Sequence, residues 1–196
     1  METSFESFKT NIMRKISYLL FAVALMFTCS NAFSQSFVIV MKAMDGPTQL
    51  NGGSALKGHE NEIELLSYSQ GEKMCAGCLK PALSDYNFTT EMSACTISFK
   101  RLLLTGKKLT SVDIVYMSQA STPFVFFKIH MEKVLVSSEQ DGGSTGSYYG
   151  PTVSVSFTAD KISWQRIAQN PDGSAGTKLT YGWDVVNNLP WTYVFP

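Results

Sequence analysis

Lys133-Val134-Leu135-Val136-Ser137-Ser138 is the stretch on which the fold turns. It closes a run, Phe124 to Val136, that is rich in aromatic and β-branched residues and reads as a long strand. A glycine-rich loop, Asp141 to Gly150, follows it. Beyond the loop, Thr152-Val153-Ser154-Val155-Ser156-Phe157-Thr158 alternates apolar with polar residues, which places its apolar side chains on one face of a sheet. Tyr181-Gly182-Trp183-Asp184 then lies inside another strand candidate, Lys178 to Val186. The second half of the chain is therefore expected to be mainly β.

The first half follows the same pattern. Phe37 to Met41, closed by Asp45-Gly46, and Glu62 to Ser69, after a loop rich in Gly, Asn and Ser, fit strands bounded by turn residues. Tyr86 to Glu91, Val112 to Met117 and a continuous run from Val153 to Arg166 complete the set. One segment breaks the period of two. Between Ser93 and Gly106, Ile97, Arg101 and Leu104 share a helical stripe with Phe99, Leu102 and Leu103 beside it. Ser93 is placed to cap the N-terminus and Gly106 to end the helix as its C′ residue. The fold class expected is mainly β: a barrel or sandwich of about seven strands, with one helix packed over an end or seam.

The N-terminus has the layout of an export signal. Arg14 and Lys15 precede an apolar run from Ile16 to Phe27, and small and polar residues ending in Ala32-Phe33-Ser34 precede Gln35. The apolar run is too short for a bilayer, which needs about 20 residues. Translation from Met13 would supply everything such a signal requires. Cleavage near Ser34-Gln35 is expected, with Cys29 in the removed segment, an exported periplasmic or extracellular product, and no stable membrane insertion afterwards. The chain thus divides into residues 1–34, an extension and signal peptide, and residues 35–196, one domain.

Sixteen basic and 16 acidic residues cancel. A balance this close to neutral leaves no electrostatic footprint for nucleic acid or an anionic membrane. Cys75, Cys78 and Cys95 remain after processing, an odd number, so one is free or pairs with another chain. Cys75-Ala76-Gly77-Cys78 could be a local disulfide, a redox dithiol or half of a zinc site. Lys80-Pro81 and sheet-like surroundings argue against a thioredoxin-type site, which needs a helix N-terminus. Only His59 and Cys95 lie near enough in sequence to complete a metal site, and Leu79 stands where c-type haem attachment requires histidine. In an oxidising compartment a disulfide between Cys75 and Cys78 is the expectation.

Catalysis has little to stand on. Neither His59, in a loop, nor His130, on the outer face of a strand, lies in a nucleophile motif. Gly142, Gly143 and Gly146 have no following helix and so form no phosphate cradle. No catalytic residue, metal or cofactor is expected.

Several motifs fall together in an order that resembles the haemolysin-coregulated protein (Hcp) family of type VI secretion systems. Glu62-Ile63-Glu64-Leu65-Leu66-Ser67-Tyr68-Ser69-Gln70-Gly71 is similar to the family's second-strand motif. Tyr86-Asn87-Phe88-Thr89 followed by Ser93 to Gly106 resembles its strand and single helix, and Phe127 to Ser138 its strand ending in Val-Ser-Ser. The likeness runs from about Phe37 to Asn188. It implies a β-barrel that forms a homohexameric ring, stacks as the inner tube of the secretion machine and holds effector proteins in its lumen. By the same resemblance Ser69 faces the lumen and its cargo. The loop from Gly71 to Leu83 would be an arm reaching a neighbouring ring, and Tyr148 and Tyr149 would anchor a second contact loop. A ring would also satisfy the edges that a strand-rich chain must cover.

An export signal sits uneasily with a tube that assembles in the cytoplasm. Two alternatives therefore stand beside the tube subunit: an exported interaction module with the same fold, and a periplasmic thiol-active protein using Cys75 and Cys78.

Overall fold

The computed structural model describes residues 36–74, 77, 81–120, 122–145 and 150–196. The signal-like segment, Cys75, Cys78, Tyr148 and Tyr149 lie outside them. Ser36–Pro196 forms one compact unit.

Among the described residues twelve strands and one helix follow each other: β1 (Phe37–Asp45), β2 (Thr48–Gln49), β3 (Ile63–Ser69), β4 (Glu72–Met74), β5 (Pro81–Leu83), β6 (Tyr86–Glu91), α1 (Ala94–Thr105), β7 (Leu109–Ser118), β8 (Val125–Gly142), β9 (Thr152–Thr158), β10 (Lys161–Gln169), β11 (Ala175–Asp184) and β12 (Leu189–Trp191). The main sheet runs β12-β11-β10-β8-β7-β1-β3-β6-β9, all antiparallel. β9 then pairs back onto β8, so β8, β7, β1, β3, β6 and β9 close into a barrel. Closure removes the edges of these six strands, and β10, β11 and β12 continue outside as a flap.

The 18-residue β8 makes both arrangements possible. Phe127 to Glu132 pair with β10, whereas Leu135 to Gly142 pair with β9. Two strands cannot share one stretch of edge, and the change of partner falls at Lys133, whose φ of 51° is left-handed. A second irregularity, between Val136 and Ser138, bends the strand into the barrel wall. The continuous strand expected from Val153 to Arg166 breaks at the same place. Only Ala159 and Asp160 leave the ladder: β9 and β10 follow one another along the β8 edge in one register, from Thr158 opposite Leu135 to Lys161 opposite Glu132, and the Asp160 amide donates to the Glu132 carbonyl at 3.1 Å.

The core is built from the inward faces. Val153, Val155 and Phe157 of β9 are buried as their alternation demands, opposite Tyr86 and Phe88 of β6. α1 closes over this seam. Its Phe99 meets Phe88 and Phe157 with ring centroids 5.8 and 5.7 Å away, and those two rings are 4.8 Å apart.

The helix bounds agree with the sequence but its buried stripe does not. Cys95, Thr96, Phe99 and Leu102 face the core, while Ile97 and Leu104 are 68% and 86% exposed. Both stripes satisfy a 3.6-residue period, and the one that carries Phe99 wins because it fills the gap between Phe88 and Phe157. Ser93 is the N-cap residue: its amide donates to Thr96 Oγ1 at 3.1 Å, and its own hydroxyl lies 3.0 Å from Cys95 Sγ. Gly106 ends the helix at φ 64°, donating to the Leu103 carbonyl.

Gly182 explains the Tyr-Gly-Trp signature. A Cβ there would lie 2.6 Å from the Trp191 carbonyl oxygen and 3.1 Å from that of Ile162, so only glycine lets β12 and β10 flank β11 at this point. After β12 the chain crosses the outer face of the sheet, placing Tyr193 on His130 and the Pro196 carbonyl 2.9 Å from Lys128 Nζ. His130 does point outward as expected, but the tail covers it and leaves it buried. No described helix is long and apolar enough to cross a membrane.

Candidate functional site

Ser69 ends β3 on the outer face of the barrel, exposed, with Ser67 two residues earlier on the same side. Between Leu65 and Ser67 the register with β6 slips by one residue. That bulge lets Leu65 and Tyr68 both point inward while both serines point out. Across the ladders, Ser69 lies opposite Asn87, Asn87 opposite Ser156, and Ser156 opposite Ser138. A parallel row runs through Ser67, Thr89, Ser154 and Gln140.

These short polar side chains bond to one another. Ser138 Oγ donates to Ser156 Oγ at 2.8 Å, Ser156 Oγ to Asn87 Oδ1 at 2.6 Å, and Thr89 Oγ1 and Ser154 Oγ are 3.3 Å apart. The result is an uncharged wall across four strands whose hydroxyls and amides are partly satisfied among themselves. Such a wall can accept or donate hydrogen bonds to many surfaces without holding any one strongly. The alternation of Tyr86 to Glu91 and of Thr152 to Thr158 carried this face in the sequence, but which strands would lie side by side needed the register.

The loop expected from Gly71 to Leu83 has structure of its own. Glu72, Lys73 and Met74 pair with Leu83, Ala82 and Pro81 as a short hairpin. Its root is tied by Ser84, whose hydroxyl accepts from the Gly71 amide at 2.9 Å and donates to the Gly71 carbonyl at 2.8 Å. Cys75 and Cys78 lie outside the described residues. Cys95 sits in the core, where burial pushes its thiol up.

His59 Nδ1 lies 2.8 Å from Glu62 Oε2 as a local pair. Among the described residues no group of three or more His, Cys, Asp or Glu side chains could hold a metal ion. His130 Nδ1 is 2.6 Å from Asp113 Oδ1, but no serine, threonine or cysteine among its described hydrogen-bond partners makes it part of a nucleophilic relay.

The described residues form a closed six-stranded barrel with one seam helix, a flap of extra strands and an outer wall of uncharged polar side chains, which defines the class as a mainly β barrel protein. The family model described as "Type VI secretion system effector, Hcp" matches residues 41–165, more than half of the chain. The chain belongs to that family. Among solved structures, one titled as a type six secretion system protein is similar over 80% of this chain and 100% of its own, with 24% identity and a TM-score of 0.70. Hcp1 from Salmonella typhimurium matches 80% of this chain and 99% of its own at 18% identity and TM-score 0.67. A type VI secretion system effector from Yersinia pestis matches 75% and 99% at 20% identity and TM-score 0.61. These likenesses concern the fold. No curated protein matches the chain in sequence.

Proposed function

We propose that this protein is a structural subunit of a type VI secretion inner tube, that it forms stacked hexameric rings and carries effector proteins, and that it acts by assembly without catalysing a reaction. The observation that carries the reading is the wall around Ser69: on an Hcp fold, four adjacent strands present only serine, threonine, asparagine and glutamine side chains along two rows. A lumen that must release what it holds suits a surface of weak, exchangeable hydrogen bonds. In this reading Ser69, Ser67 and Asn87 touch cargo. The Gly71–Leu83 hairpin and the loop with Tyr148 and Tyr149 supply contacts between rings, and Cys75 and Cys78 form a local disulfide.

The test is the molar mass in solution of residues 35–196 by light scattering, with and without reductant. A hexamer in both conditions is expected. A monomer in both overturns the ring, and rings that vanish with reductant would transfer the assembly from the sheet surfaces to the cysteines. Ser69→Trp should leave the ring intact and reduce retention of co-expressed effectors, and unchanged retention would remove Ser69 from the cargo surface.

The N-terminal pattern favours a second reading. Cleavage near Ser34-Gln35 would deliver the domain to the periplasm or beyond, where the same fold serves as an exported interaction module outside a secretion machine. An intact mass beginning at Gln35 on exported protein supports it, and a mass that retains Met13 removes it.

A further inference from the structure

At the end of the barrel where β3 and β7 finish and β6 and β8 begin, the wall opens into a cavity of about 430 Å³. Tyr68, Phe127, Trp164 and Tyr181 line it, with Gln70 and Glu72 as its polar members. Trp164 of β10 and Tyr181 of β11 are direct cross-strand partners, so their rings extend the inward face of β8 onto the flap. Tyr68 is held from behind by Tyr86 and Tyr116, at centroid distances of 6.4 and 5.9 Å.

Three features say what chemistry this box accepts. First, none of its lining residues is basic, and one, Glu72, is a carboxylate. Its charge reaches the aromatic floor: burial first, and the Glu72 carboxylate among the smaller causes, pushes the phenols of Tyr68 and Tyr86 up, so both stay neutral. Second, the Tyr68 hydroxyl is buried without a hydrogen-bond partner among the described residues, and its oxygen can accept from an ammonium or guanidinium. A buried hydroxyl left unpaired is destabilising, and a cationic donor that reaches it would relieve that cost. Third, aromatic faces around a single carboxylate attract cations, because each ring turns a negative π-face to the space between them.

The rim points to a protein as the source of the cation. Tyr181 of the lining is 57% exposed, and Leu179, two residues earlier on β11, is 69% exposed. β12 pairs only with Gly182, Trp183 and Asp184, and residues 177–181 of β11 are exposed along the remaining edge. An extended segment added there would alternate its side chains like any strand, and one of them would stand beside Tyr181 over the cavity.

We propose that the box of Tyr68, Phe127, Trp164 and Tyr181, with Glu72 at its rim, receives a lysine or arginine side chain from an extended basic segment of a partner protein laid along the edge of β11. This site needs only the folded subunit and is independent of whether rings form.

The purified protein is titrated by calorimetry at low salt with the peptide acetyl-Thr-Val-Lys-Val-Thr-amide and with the same peptide carrying norleucine, lysine's uncharged analogue. The lysine peptide is expected to bind saturably, and norleucine to bind about fivefold or more weakly, as loss of a cation–π contact of about 1 kcal/mol requires. Glu72→Gln, an exposed change that spares the fold, and Trp164→Leu should each weaken the lysine peptide by a similar factor. Light scattering on the same samples keeps loss of assembly distinguishable from loss of the site. Equal binding of both peptides, or no binding of the lysine peptide at millimolar concentration, overturns the proposal. So does tetramethylammonium binding as tightly as the peptide, which would make the box a small-cation site.

Discussion

His130 and Tyr193 lie face to face, their ring centroids 3.6 Å apart and their planes 5° from parallel. The contact fixes the C-terminal tail on the outer face of the barrel. Trp191 tilts against both rings, with centroids 6.2 and 5.9 Å away, and Phe195 meets Tyr193 edge-on at 4.9 Å. Beneath them His130 bonds to Asp113, and the tail shields the imidazole from water while the Asp113 carboxylate stays partly exposed. Tyr193→Ala should therefore lower unfolding stability by about 1–3 kcal/mol, read as a shift in the urea midpoint with an unchanged slope. Deletion of residues 192–196 should cost at least as much, and an unchanged midpoint for both would mean that the tail adds nothing to the fold.

The helix offers a paired test of which stripe matters. Phe99→Ala removes the ring that joins Phe88 to Phe157 and should cost about 3–5 kcal/mol. Ile97→Ala, two residues away on the exposed side, should stay within about 0.5 kcal/mol of the parent. Thermal melts of the two variants decide this directly, and similar losses in both would contradict the buried face described above.

Acid stability follows from carboxylates that bridge elements. Hydrogen bonds from Lys107 first, then Arg101, hold Asp45 below its ordinary value of 3.8, and a hydrogen bond from Lys100 does the same for Asp141. Asp184 is lowered by the Asn187 amide and side chain. A carboxylate whose folded pKa is depressed stabilises the native state above its unfolded value, and that contribution is lost as pH falls through the folded value. Stability measured by urea titration should thus hold steady above about pH 5 and decline below about pH 4. Lys100 carries the opposite sign: Asp141 first and Glu139 next raise it, so its contribution persists in neutral solution and is lost only on strong alkalinisation. Asp45→Asn together with Asp141→Asn should flatten the acid limb, and an unaltered limb would assign acid sensitivity elsewhere.

Cys95 should be chemically silent in the native protein. It is fully buried on the core-facing side of α1, and burial raises its thiol, which keeps the reactive thiolate scarce. An aromatic disulfide reagent at pH 8 should label Cys95 only at the rate of unfolding and promptly in denaturant. Rapid labelling of native protein at Cys95, located by peptide mass, would show that the seam under the helix opens readily.

Lys133 holds a left-handed backbone where β8 changes partner, and its side chain is exposed. Lys133→Gly relieves about 1 kcal/mol of backbone strain, less the entropy that glycine adds to the unfolded chain. The expected outcome is a midpoint equal to or slightly above the parent's, whereas Lys133→Val should cost more than 1 kcal/mol because a β-branched residue resists that conformation.

Much of this protein is legible in its sequence because local periodicity and turn chemistry act over a few residues. The alternation of Thr152 to Thr158, the helix bounds at Ser93 and Gly106, and the Ser67 and Ser69 pair on one face all follow from side-chain spacing alone. Other features depend on which segments become neighbours. The stripe of Ile97, Arg101 and Leu104 and the one with Phe99 and Leu102 both fit a helix, and the gap between Phe88 and Phe157 chose Phe99 over Ile97. The run from Val153 to Arg166 does follow one edge of β8, interrupted only at Ala159-Asp160, but its division between barrel and flap depended on β6 and β11 taking its two halves on the other side. Asn87, Ser138 and Ser156 joined Ser69 through inter-strand register, and the tail found His130 through a contact 63 positions apart in the chain. Local spacing set which face each residue takes, and the long-range pairing of strands decided what that face would meet.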